Sequence, residues 1–116
     1  PSTHHKELRM SALDRLKHDH GDPLRVVIHH DGRIEKLKKP ESMAQLKARM
    51  RANTIDTVIL LDREHVMLVD DVGALVNAPH NVEATRLYLD RCRPGTQHTI
   101  RGTVCVVPDD DFAGPL

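Results

Sequence analysis

Residues 65–88 read HVMLVDDVGALVNAPHNVEATRLY, and this stretch decides how the chain is built. Val66 to Val69 form a short apolar run closed by Asp70 and Asp71, and Gly73 supplies the positive φ of a tight turn, so a strand and then a turn are expected. Asn77-Ala78-Pro79-His80 is a second breaker. Asn81 follows as a helix N-cap, its side-chain oxygen able to accept from a free N–H of the first turn, with Glu83 complementing the helix dipole. Ala84, Leu87, Tyr88 and Cys92 then recur at helical spacing as one apolar stripe, with Arg86, Asp90 and Arg91 on the far side. The stretch specifies architecture and carries no reactive group.

Working outward, residues 6–20 suggest a charged, modestly amphipathic helix with Leu8, Ala12, Leu13 and Leu16 on a loose face, stopped by Gly21 and Pro23 and packing at the domain edge or on a partner. Residues 24–29, LRVVIH, read as a strand. Asp31-Gly32 is a hairpin turn pair, and residues 33–37 return as a second strand. Pro40 ends it. Ser42 and Gln45 form a capping box for a short basic helix that points Met43, Leu46 and Met50 inward. Residues 55–61, IDTVILL, read as a central strand covered on both faces, residues 62–65 as a turn, and residues 99–107 as a second central strand. The tail PDDDFAGPL leaves the sheet, with Phe112 docking back.

The order α-ββ-α-ββ-α-β predicts a single small α+β domain, with one mixed or antiparallel sheet of about five strands and two or three helices mainly on one face. Residues 1–22 form the N-terminal helix, 23–108 the core and 109–116 an acidic tail. Val58, Leu60, Leu68, Leu87, Tyr88, Val104 and Val106 are the expected common core. With one Tyr, one Phe and no Trp, that core has to be filled by aliphatic side chains.

The chain has 116 residues, with 17 Lys or Arg against 17 Asp or Glu, and this neutrality argues against a dedicated polyanion binder. The charge is unevenly placed. Residues 1–53 carry 12 basic and 7 acidic residues, net +5, whereas residues 54–116 carry 5 and 10, net −5. No apolar run approaches the roughly 20 residues of a membrane span, and the first residues lack a signal-peptide core, so a cytoplasmic protein is expected. Cys92 and Cys105 stand where small apolar side chains are wanted, without a C-x-x-C context, and read as buried thiols.

RVVIHHDGRIEKL, the I-D-x-V-x-L strand, the V-D-x-x-G turn (Val69, Asp70, Gly73), Asn81 followed by Ala84-Thr85, and the I-x-G of Ile100 and Gly102 together resemble the phage- and plasmid-borne family called domain of unknown function 3846. The likeness covers about residues 24–113 and leaves the N-terminal helix outside. It implies a mobile-element origin and no particular reaction.

Three features bear on function. Among nine histidines, His18, His20, His29 and His30 are weak metal candidates, but neither an H-E-x-x-H helix nor a cysteine pair fixes a geometry, and surface histidines are the ordinary reading. Asp70, Asp71 and Asp109 to Asp111 converge at one end of the sheet if the last strand neighbours the Val66 strand, a hard-cation arrangement whose ordinary reading is turn chemistry. Arg33, Lys36, Lys38, Lys39, Lys47, Arg49 and Arg51 concentrate seven cations in 19 residues, the strongest of the three signals. No nucleophile elbow, phosphate loop or dinucleotide fingerprint occurs, so catalytic residues and cofactors are not expected.

The expectation is therefore a non-enzymatic binding or regulatory module of a mobile element that meets a host or element protein through the basic segment. An acidic protein or a second copy of the chain, its −5 part meeting the +5 part, is the expected partner. A nucleic-acid-binding accessory protein using residues 33–51 is the alternative, weakened by the lack of interleaved aromatics, and a metal-dependent hydrolase is more distant.

Overall fold

In the chain order, α1 (Ala12–His20), the hairpin β1 (Val26–Ile28) and β2 (Ile34–Lys36), α2 (Met43–Met50), the hairpin β3 (Ile55–Ile59) and β4 (His65–Asp70), α3 (Val82–Asp90) and β5 (Val104–Pro108) follow as expected, and a 3-10 turn (Asp109–Phe112) closes the sequence of elements. This computed structural model describes residues 10–72 and 77–112. Gly73, Leu8 and the start of the expected first helix lie outside the described residues.

The local signals act as their chemistry requires. Ser11 caps α1 by accepting from the Asp14 N–H. Ser42 and Gln45 form the reciprocal capping box of α2, and Asn81 caps α3 by accepting from the Ala84 N–H. Gly32, at φ 93°, turns the β1–β2 hairpin, where its N–H donates to the His29 carbonyl. The third helix ends at Asp90, so Cys92 lies just beyond it, half-buried, with its Sγ donating to the Tyr88 carbonyl.

All pairings are antiparallel and the sheet order is β2-β1-β5-β4-β3. Alternation along the strands sorts the core into two layers. Val26, Ile28, Met67, Val104 and Val106 meet Leu13 and Leu16 of α1 and Ala84 and Leu87 of α3. Val27, Val66, Leu68, Cys105 and Val107 meet Leu46 and Met50 of α2, with Phe112 docked at the margin.

Four expectations are corrected. Leu68 does not share a core with Leu87 and Val104, because Val66 to Val69 are all apolar and only the pairing decides their facing; Val58 and Tyr88 are partly buried. The strand over residues 55–61 is not central: β3 is an edge strand, with Asp56, Thr57 and Ile59 exposed. The first helix is no edge appendage, since Leu13 and Leu16 are buried in the α3 layer. Finally, β4 and β5 are neighbours but antiparallel, so Asp70 and Asp71 lie at the opposite end of the sheet from Asp109, whose N–H donates to the Glu64 carbonyl.

Candidate functional site

Three polar assemblies stand out. The first joins α1 to the β3–β4 turn. Asp62 Oδ2 lies 2.7 Å from Lys17 Nζ and 2.7 Å from His65 Nδ1, while its Oδ1 accepts from the backbone N–H groups of Glu64 and His65. His65 is 1% exposed, and its Nε2 accepts from the Leu24 N–H at 2.8 Å. That acceptance places the ring proton on Nδ1, where it donates to Asp62. Burial acts to raise the Asp62 carboxyl, but the Lys17 ammonium and the converging N–H donors outweigh it and hold the group far below its ordinary value of 3.8. Both ring nitrogens of His65 are thereby used in joining the β3–β4 turn to the segment that leads into β1, and Asp62 carries the link on to Lys17 of α1. The Asp62-x-x-His65 spacing at a hairpin end was visible in the sequence, whereas Lys17 was not.

A group with a depressed folded pKa contributes stability that is present above its unfolded value and lost as pH falls toward the folded one. Acid unfolding therefore carries an Asp62 component below about pH 4. In Asp62→Asn the stability profile below that pH is expected to be flatter than in the wild type, measured by urea titration at stepped pH. Parallel profiles would show that Asp62 contributes nothing to the acid transition.

The second assembly ties α3 to the sheet. Asn81, 1% exposed, donates through Nδ2 to the carbonyls of Ile28 and Gly102 and accepts at Oδ1 from Ala84. Thr85 Oγ1 bonds the Asn81 carbonyl and accepts from the Ile100 N–H, and His80 Nε2 lies 3.1 Å from the same oxygen. The Gly102 N–H donates to the Pro79 carbonyl with Gly102 at φ 81°. Asn81, Ala84, Thr85, Ile100 and Gly102 thus meet in one knot whose groups bond one another.

The third is the basic segment. Arg33, Lys36, Lys38 and Lys39 are exposed along the β2 edge and the loop after it. Lys47, Arg49 and Arg51 occupy the last turn and C-cap of α2, where cations complement the dipole. Arg49 is neutralised in place, bonded to Glu41 at 2.6 and 2.7 Å and to Glu35 at 3.2 Å, and this clamp ties α2 onto β2. Its guanidinium is held protonated above its ordinary range, chiefly by the Glu41 bond. Strand alternation splits the rest: Glu35 lies on the α2 face, whereas Lys36, one residue on, comes out on the α1 face close to Gly21. The seven cations therefore rim the β2 edge from both sides and do not share one flat face. Among the described residues, the other six have no acidic partner within ion-pair distance.

The weak metal candidates stay apart. His18 contacts Asp19 on the surface of α1, and His29 contacts Glu35 at 3.3 Å. No three His, Cys, Asp or Glu side chains gather as a metal would need among the described residues. Cys105 is buried in the α2 layer, and burial pushes its thiol up to about 12, so it holds its proton at neutral pH. Among the described residues, no helix is long and apolar enough to cross a membrane.

No family model, no curated protein and no solved structure matches the chain.

Proposed function

We propose that the chain is a non-enzymatic binding module that engages an acidic protein through the rim of the β2 edge and the C-terminal turn of α2. The observation that carries this reading is the contrast within the basic segment. Arg49 is consumed by Glu35 and Glu41, while Arg33, Lys36, Lys38, Lys39 and Arg51 project exposed with no acidic side chain within ion-pair distance among the described residues. The buried polar groups of the other two assemblies are bonded to one another and hold the fold together, whereas the rim gathers exposed cations along one edge of the sheet. A phage or plasmid origin, with a host or element protein as the target, rests on the family likeness of residues 24–113.

Exposed charges act over about a Debye length, 8–10 Å at physiological ionic strength, and rim charges govern encounter more than final affinity. Lys38→Glu with Lys39→Glu is expected to slow association about ten-fold and to leave the melting temperature within about 2 °C of wild type. Capture from lysate with and without nuclease, followed by binding kinetics over a salt series, reads this. A nuclease-resistant partner whose capture fails in the double variant supports the proposal. A partner lost to nuclease supports the nucleic-acid alternative, and unchanged capture by the variant removes the basic rim from the mechanism.

A further inference from the structure

The two edges of the sheet differ. β2 is three residues long and presents charged Glu35 and Lys36, the usual protection of an edge against further pairing. β3 is five residues long, has no proline or lysine, and leaves Asp56, Thr57 and Ile59 exposed, with Leu61 exposed just beyond. Ile59 is 55% exposed, which is costly for an isoleucine in water.

The direction of the open backbone groups follows from the β3–β4 ladder. The Leu60 N–H donates to the His65 carbonyl and the Asp71 N–H to the Thr54 carbonyl. In an antiparallel ladder, bonding direction alternates residue by residue, so the even-numbered residues face β4 and Ile55, Thr57 and Ile59 turn their N–H and C=O groups outward. Val58 packs in the α1–α3 layer and Ile55 in the α2 layer, so the side chains of these same odd-numbered residues share the α2 face.

Along that face the strand reads Ile55-x-Thr57-x-Ile59, which is the same in both directions. An antiparallel copy centred on Thr57 sets Thr57 against Thr57, each Ile59 against Ile55 and each Asp56 against Val58. On the α2 face apolar meets apolar and hydroxyl meets hydroxyl, pairings that stabilise adjacent strands, and on the other face each Asp56 meets Val58 with no like charges apposed. We infer that β3 pairs with β3 of a second copy across a two-fold axis at Thr57, joining the two sheets into one of ten strands. The outward backbone groups then bond reciprocally and Ile59 is covered from the partner's side. The basic rims, on the opposite edge of each sheet, remain open at the two far ends of the dimer.

Sedimentation equilibrium of the full chain at low and high salt, across a concentration series, tests this. The expected result is a dimer whose dissociation constant changes little with salt, because backbone bonds and apolar contacts hold it. Thr57→Lys apposes two ammonium groups at the axis and is expected to raise that constant about ten-fold or more, with the melting temperature of the exposed-site variant as the folding control. In a Cys92→Ser background, Thr57→Cys is expected to cross-link on mild oxidation, since Cα atoms about 5.5 Å apart suit a disulfide, while Asp56→Cys is not. A wild-type monomer at all concentrations, a dimer untouched by Thr57→Lys, or a dimer dispersed by salt would overturn the inference. Absence of the Thr57→Cys cross-link overturns the register.

Discussion

Asn81→Leu is expected to lower stability by about 3–5 kcal/mol, because two buried backbone groups and one part-buried one lose their partners at once and each buried loss costs about 1–3 kcal/mol. Those groups are the Ala84 N–H at the start of α3, the Ile28 carbonyl at the end of β1 and the Gly102 carbonyl before β5. Leucine has similar bulk, so the loss is one of hydrogen bonding and not of volume. Asn81→Asp separates the contributions: it keeps the cap, since an oxygen still accepts from Ala84, but sets a carboxylate oxygen against two carbonyls. Its destabilisation is expected to ease as pH falls and the acid regains a proton to donate. A urea titration with a loss below about 1 kcal/mol for Asn81→Leu would show that the carbonyls find other donors.

Leu87→Ala is expected to cost about 3 kcal/mol, within the 2–5 kcal/mol typical of a leucine removed from a core. Leu87 is 3% exposed and packs in the layer that holds Leu13 and Leu16 of α1 against the sheet. Its loss leaves a cavity that two short helices close only by moving together. At this chain length the melting temperature falls by roughly 10–15 °C. Val82→Ala, at a 48% exposed position of the same helix, is expected to stay within about 0.5 kcal/mol of wild type and controls for helix propensity. Equal melting temperatures for the two variants would mean that α3 does not seal the core.

The element order was legible because each helix carries its own stop and start chemistry, from Ser42 with Gln45 to Asn81, and these act over a few residues. Strand placement was not legible. IDTVILL has the apolar density of a covered strand, but that density includes two exposed residues, Ile59 and Leu61, at an edge of the sheet that no other strand covers among the described residues. Local composition reports how apolar a strand is, and only long-range pairing reports what lies beside it. The same limit hid the antiparallel relation of β4 and β5 that separates the two aspartate groups. At the sites, Asn81 was readable as a cap but not as the donor to Ile28 and Gly102, which are remote in sequence. The cations of residues 33–51 were readable as a run, whereas the Glu35–Arg49–Glu41 clamp that removes one of them needed the register of β2 and the seating of α2.

The place of β5 sets the order of events by which this protein reaches its native state. It lies in the middle of the sheet and is the last strand of the five, and β1 and β4 touch the same ladder only through it. The hairpins β1–β2 and β3–β4 close over short loops and can form early, but before β5 arrives they have no shared edge. Neither layer has its centre, since Val104 and Val106 complete one and Cys105 and Val107 the other. Insertion of a single five-residue strand therefore closes both layers in one step. That closure waits on contacts distant in sequence, which slows folding relative to a helical protein of this size. During synthesis the two hairpins have no strand to join them until residues 104–108 have left the ribosome, so neither layer of the core can be complete before that point.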